Sequence, residues 1–229
     1  MMVEERYARN FDALTAEEQA VLATKRVLVV GCGGLGGYVI ECLARVGVGG
    51  LRIVDGDVFE VSNLNRQLLS SEMNLGKPKV LAAKHRVMAV NPLVFVEIFD
   101  QPLVESNALE LLKECDVVVD ALDNIPDRLL LQKAAKQADV VLVHGAVAGW
   151  WGQVCVIRPG EDLLSILYGE AHQERGEEAQ TGTLSFTPAL VGSLEAVETV
   201  KVLLGRTGLR GELLSVDLLN GTFDRVKLI

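Results

Sequence analysis

Gly31-Cys32-Gly33-Gly34-Leu35-Gly36-Gly37 lies between an apolar run, Arg26 to Val30, and an amphipathic stretch through about Val46. Glycines there permit a tight turn and close backbone approach to a phosphate. The N-terminus of the following helix adds free N–H groups and partial positive charge. Asp55 ends the next apolar run, about 20 positions on, where a carboxylate would hold a ribose hydroxyl. Strand, turn, helix and acid together predict a nucleotide site without saying which nucleotide. No Gly-x-x-x-x-Gly-Lys-Ser/Thr loop occurs, which sets aside the common NTPase mechanism.

After Asp55 come Asp57, then Asn63-Leu64-Asn65-Arg66-Gln67, then Lys77-Pro78-Lys79. Polar and cationic groups beside a nucleotide fit triphosphate chemistry better than hydride transfer. Attack on an α-phosphorus builds charge on equatorial oxygens and expels pyrophosphate, so cations must line the phosphate tail. Asp123, at the carboxyl end of a fourth strand, faces the same crevice in a doubly wound sheet. A hard carboxylate there suits a magnesium ion that keeps its waters and bridges phosphates. Plainer readings compete. Arg66 and Lys79 could be solvated surface charges, Asp57, Asn63 and Asn65 loop residues, and Asp123-Asn124 a helix cap before Pro126. Their joint occurrence after three successive strand ends favours a site.

These groups need a parallel sheet to bring them together. Short β-branched runs alternate with amphipathic segments: strands at 26–30, 51–55, 95–99, 116–121 and 140–144, and helices at 79–89, 108–114 and 126–138. The fold class is therefore α/β, a Rossmann-like, mostly parallel sheet with helices on both faces. Gln153 to Ile157 follows too soon for a parallel crossover and is expected antiparallel. Residues 161–182 read as a polar, mobile loop. A helix from an N-cap at Thr187 to Leu204 is expected to bury Leu190, Leu194, Val197, Val200 and Leu204. Two last strands, near 213–217 and 223–228, are joined at Asn220-Gly221, a hairpin signal.

The 229 residues, 49% hydrophobic and 23% charged, suffice for one packed domain. A net charge of -9, from 22 Lys and Arg against 31 Asp and Glu, argues against nucleic acid. No apolar run approaches a membrane span and no secretory signal opens the chain, so no membrane partner and a cytoplasmic location are expected. Cys32, Cys42, Cys115 and Cys155 form no Cys-x-x-Cys pair, so no structural zinc is expected.

The chain resembles the ThiF/MoeB/HesA family of adenylyltransferases, relatives of the ubiquitin-activating enzymes. The matching residues are Arg6-Tyr7-x-Arg9-Asn10, Gly31 to Gly36, Asp55-x-Asp57, Asn63-Leu64-x-Arg66-Gln67, Gly76-Lys77-Pro78-Lys79, Asp120-x-x-Asp123-Asn124, Gly152-Gln153 and Gly192-Ser193-Leu194. The resemblance implies ATP-dependent adenylation of the C-terminal glycine of a small ubiquitin-like sulfur-carrier protein ending in Gly-Gly. It places the nucleotide on Gly31, Gly33, Gly34, Gly36 and Asp55, with Asn124 nearby. It has Asp57, Asn63, Arg66, Gln67 and Lys79 orienting the phosphates, and Asp123 holding Mg2+. Arg9 resembles an arginine that reaches into a partner subunit's site, which implies a homodimer. The chain then divides into an N-terminal arm (1–25), a nucleotide-binding half (26–144) and a carrier-binding half (145–229). The loop before the last long helix lacks the cysteine that many relatives carry, so no thioester or persulfide can form there. Adenylation of a small-molecule or nucleoside carboxylate, or a non-catalytic ATP-binding scaffold, remains the alternative.

Overall fold

The computed structural model describes residues 4–169 and 181–229. Eight strands form one sheet: β1 (Arg26–Val30), β2 (Gly50–Val54), β3 (Phe95–Phe99), β4 (Val117–Asp120), β5 (Val141–Ala148), β6 (Trp151–Ile157), β7 (Glu212–Asp217) and β8 (Thr222–Lys227). Their order is β3-β2-β1-β4-β5-β6-β7-β8. Strands β3 through β5 run parallel, and β6, β7 and β8 add on antiparallel. The expected class and the antiparallel switch after β5 are both present.

Helices cover both faces. On one, α2 (Gly34–Val46), α3 (Lys79–Val90) and α7 (Phe186–Leu203) pack on Val27, Val29, Val119, Val143 and Val154. On the other, α4 (Glu105–Leu112), α5 (Ile125–Gln137) and α6 (Leu163–Tyr168) pack on Leu28, Val30, Val118, Leu142 and Cys155. Successive strand residues therefore feed opposite cores, as the period of two requires. The short α1 (Ala16–Leu22) starts from a complete capping box on Thr15 and Glu18.

Several expected boundaries move. The α7 N-cap is Ser185; Thr187 lies inside the helix and donates its hydroxyl to the Gly149 carbonyl at 2.8 Å. The buried face of α7 is turned from the expected one: Val191, Glu195, Ala196, Thr199 and Leu203 are buried, while Val197 is exposed. Apolar spacing misled because the buried stripe itself contains Thr187, Glu195, Glu198 and Thr199. Helix α4 starts earlier than expected because the polar Glu105-Ser106-Asn107 forms its first turn, with Asn107 Oδ1 accepting Val104 N–H at 2.9 Å. The last hairpin has a four-residue loop, Leu218 to Gly221, organised by Asp217, whose carboxylate accepts the N–H groups of Leu219 and Asn220. Within the expected loop at 161–182, residues 163–168 form α6, which buries Leu163 and Leu164; 170–180 lie outside the described residues. The division expected after His144 falls inside β5.

Candidate active site

The strand order reverses at β1 and β4, so the crevice opens outside their carboxyl ends. The glycine turn leaves β1 there. Gly31 holds φ +100°, and its N–H donates to Val54 O at 2.8 Å, tying the turn to β2. A side chain on Gly36 would collide with the Gly31 carbonyl, so only glycine lets α2 begin directly over the turn. Gly33 is the α2 N-cap and supplies no side-chain hydrogen bond, which leaves first-turn N–H groups for an anion. Gly34 has a further duty: its open side packs on Pro188, joining α2 to the start of α7.

Asp55 sits just beyond β2. Its carboxylate accepts Cys32 N–H at 2.6 Å and Asp57 N–H at 2.8 Å, binding the glycine turn to the next loop. Burial raises its pKa, against the opposing effects of nearby Lys79 and those two N–H groups. Two oxygens with about four lone-pair sites leave room for a ribose hydroxyl. Lys79 opens α3, and its Nζ pairs with Asp57 Oδ2 at 2.8 Å. The lysine side chain is 8% exposed and the aspartate 73%, so a buried ammonium reaches the crevice and Asp57 meets it from the solvent side. Lys79 is thus no solvated surface charge.

The loop after Asp57 folds into two short 3-10 turns. Asn63 is buried, and its Oδ1 accepts Glu60 N–H at 3.0 Å while its carbonyl receives the N–H groups of Arg66 and Gln67. It therefore shapes the loop. Arg66 Nη1 donates to Ser62 O and Asn65 Oδ1, with its stem beside Gly34. Gln67 is buried next to Gly33, and its Oε1 has no hydrogen-bond partner. An orphaned acceptor beside a phosphate turn is a group in need of a ligand donor, such as a hydroxyl.

Across the crevice, Ala121 packs against Gly31 and Gly36. Asp123, two residues on, is exposed and engages no hydrogen bond or ion pair among the described residues. Asn124 caps α5: its Oδ1 accepts Asp127 N–H at 2.9 Å and its Nδ2 donates to Asp127 Oδ2. In this structure its amide serves the helix cap. Arg9 is exposed in a 3-10 turn, Glu5–Asn10, at the far end of α2, where Tyr7 packs on Gly47 and Asn91 donates to the Tyr7 hydroxyl. Thirteen helical residues at about 1.5 Å each put about 18 Å between the ends of α2. Arg9 and the glycine turn of one chain do not meet.

Behind the crevice lies a buried polar cluster of which sequence reasoning singled out Asp120 and Gln153, as family matches, but not their partners. Asp120, at the end of β4, accepts from His144 Nδ1 at 2.8 Å and from Leu122 N–H at 3.1 Å. His144 Nε2 lies 3.0 Å from the Tyr168 hydroxyl, to which Gln153 and Arg128 also donate. Glu195 is fully buried against Gly145, both oxygens without a partner; burial and then Asp120 push its pKa well up, against Arg128. The one available signal was polar residues inside apolar strands, such as His144 in Val140-Val141-Leu142-Val143-His144. Among the described residues, no group of three or more His, Cys, Asp and Glu could hold a metal ion. The four thiols are buried or partly buried, and burial raises the pKa of each.

The described fold is that of solved proteins. It superposes on Escherichia coli MccB with ATP at a TM-score of 0.82, with 20% identity over 99% of this chain and 72% of that one. It matches PaaA at 0.80, with 22% identity over 98% and 73%. In sequence it is 40% identical over 227 residues to the SAMP-activating enzyme E1 of Haloferax volcanii, covering 97% of this chain and 84% of that protein. It is also 40% identical over 228 residues to the sulfur carrier protein adenylyltransferase of Thermus thermophilus, covering 92% and 81%. The family model described as ThiF family matches residues 7–229. The chain belongs to the ThiF family.

Proposed function

We propose that this protein is an ATP-dependent adenylyltransferase that activates the C-terminal carboxylate of a ubiquitin-like sulfur carrier. The observation that carries the reading is Lys79, a buried cation held between the glycine turn and an exposed acid. The relatives named sulfur carrier protein adenylyltransferase and SAMP-activating enzyme E1 support the substrate class. The carrier's carboxylate oxygen attacks the α-phosphorus. The bond to the bridging oxygen of the β-phosphate breaks, and pyrophosphate leaves with that electron pair. The α2 N-terminus, Arg66 and Lys79 offset the charge that develops. Asp55 and Gln67 hold the ribose side, and Asp57 keeps Lys79 aimed.

Magnesium fits the remaining acid. Asp123 follows the end of β4 as an exposed carboxylate with no hydrogen bond or ion pair among the described residues, and this ion is commonly held by one or two carboxylates plus phosphates while keeping its waters. When bound, it would supply positive charge that offsets the phosphate tail. Arg9, far from its own chain's turn, would then act in the site of a second copy, and the working unit of this reading is a homodimer. No helix among the described residues is long and apolar enough to cross a membrane. ATP use and four free thiols fit the cytoplasm.

The test is ATP–pyrophosphate exchange with a small carrier ending in Gly-Gly from the same genome. Exchange that requires the carrier's last glycine is expected. Exchange driven instead by a small carboxylate, with every such carrier inert, would replace the substrate class. Binding of ATP with no exchange under either condition would make the chain a scaffold.

A further inference from the structure

The turn that carries Asp123 is held from behind by a wired set of buried side chains. Arg128, near the start of α5, donates through Nε and Nη2 to the Leu122 carbonyl at 3.1 and 2.8 Å. Asp120 Oδ1 takes the Leu122 N–H. Both backbone groups of the residue before Asp123 are thus fixed by side chains, each of which is buried. The two holders meet again at a second point. Arg128 Nη1 donates to the Tyr168 hydroxyl at 3.3 Å, and its guanidinium lies over the Tyr168 ring, 5.6 Å from the centroid. Asp120 reaches the same hydroxyl through His144. A carboxylate accepts only, so His144 donates from Nδ1 to Asp120, and its Nε2 shares the remaining hydrogen bond with the Tyr168 hydroxyl. Gln153 Nε2, 2.9 Å away, supplies a further donor to that oxygen.

We propose that His144 and Tyr168 are positioning residues for the metal-nucleotide complex: through Asp120 and Arg128 they hold the Ala121–Asn124 turn so that the Asp123 carboxylate would meet the magnesium ion of that complex. This inference rests on the reading of Asp123 as the metal-holding acid. The alternative role for the cluster, anchoring α6 for stability alone, draws on the same hydrogen bonds but leaves the gain in ATP affinity that magnesium brings unchanged when His144 or Tyr168 is altered. Partners behind a metal-holding group typically change metal affinity about 10-fold to 100-fold when removed.

The experiment is titration calorimetry of ATP into the full chain, once with magnesium and once with EDTA, on variants shown to be native by thermal melting. Asp123→Asn is expected to abolish the gain in ATP affinity that magnesium brings. Tyr168→Phe and His144→Ala are expected to cut that gain about 10-fold or more while leaving ATP affinity in EDTA unchanged. His144→Asn, whose amide can still donate to Asp120, should recover part of it. Adding Tyr168→Phe to Asp123→Asn should cost nothing further, because both act through one carboxylate. If Asp123→Asn leaves the magnesium effect intact, the metal reading fails and this proposal falls with it. If Asp123→Asn abolishes the effect but the His144 and Tyr168 variants keep it, or weaken binding equally with and without magnesium, the positioning role alone is overturned. Should Tyr168→Phe not fold, the comparison of His144→Ala with His144→Asn decides.

Discussion

At the scale of single residues, the site is a matter of which charges are sheltered and which are not. Lys79 is buried yet pairs with an aspartate that stands in solvent. Removing the ammonium leaves Asp57 hydrated but takes a compensating charge from the sheltered Asp55, so Lys79→Ala should lower the melting temperature. It should slow ATP–pyrophosphate exchange on the order of 10³-fold, the scale seen when a transition-state cation is lost. Exchange within a few-fold of the parent protein would remove Lys79 from the chemistry. The thiols give a complementary prediction. All four cysteines are described, and burial makes each a poorer thiolate. The acyl-adenylate should therefore leave intact, for a thiol or sulfide on another molecule to consume. Intact-mass analysis after incubation with ATP and carrier should show unmodified enzyme; a thiol-reversible adduct would overturn this. The sequence exposed these site residues because charge and glycine at fixed offsets have few structural uses. It did not expose Arg128, Tyr168 or Glu195, whose value lies in partners far along the chain.

At the scale of elements, two helices meet the sheet through missing side chains. Gly36 lies over the Gly31 carbonyl, and Gly145 in β5 leaves the space that Glu195 of α7 fills. Gly36→Ala should destabilise the fold by about 1–3 kcal/mol, as overpacking does, and weaken ATP binding by displacing the glycine turn. Equilibrium denaturation alongside ATP titration checks both. Glu195 makes a pH prediction. The folded chain keeps its proton, whereas the unfolded chain releases it near 4.5. Stability from this group is complete below that value and is lost as pH rises toward the raised folded pKa. Glu195→Gln should remove the loss, so its advantage over the parent grows from pH 5 to pH 8. Urea midpoints that run parallel across this range would refute it. This is also where sequence reading slipped. Strand positions and the antiparallel switch followed from β-branched runs and a connection too short for a crossover. The face of α7 did not, because two buried glutamates and two buried threonines look polar until their partners elsewhere in the fold are seen.

At the scale of the whole molecule, the N-terminal turn and the crevice lie at opposite ends of α2, and this separation makes a stoichiometric prediction. If Arg9 completes a neighbouring copy's site, each site of a two-fold dimer draws Arg9 from one chain and Asp123 from the other. Arg9→Ala and Asp123→Asn should each be nearly inactive as pure proteins. Mixed under conditions that allow subunits to exchange, equal amounts form mixed dimers in half the cases. Each mixed dimer carries one site with both changes and one with neither. Activity should return to about a quarter of the parent level, a value fixed by counting sites under that symmetry. No recovery, with exchange verified by mass, would confine Arg9 to its own chain. An active monomer by sedimentation would remove the shared site altogether. The acidic surface, with its net charge of -9, sets a condition on the mixing. Like-charged copies associate less readily at low ionic strength, where screening extends over about 30 Å rather than about 8 Å at physiological salt. Recovery should therefore be faster in salt, while its final level, set by geometry alone, stays the same.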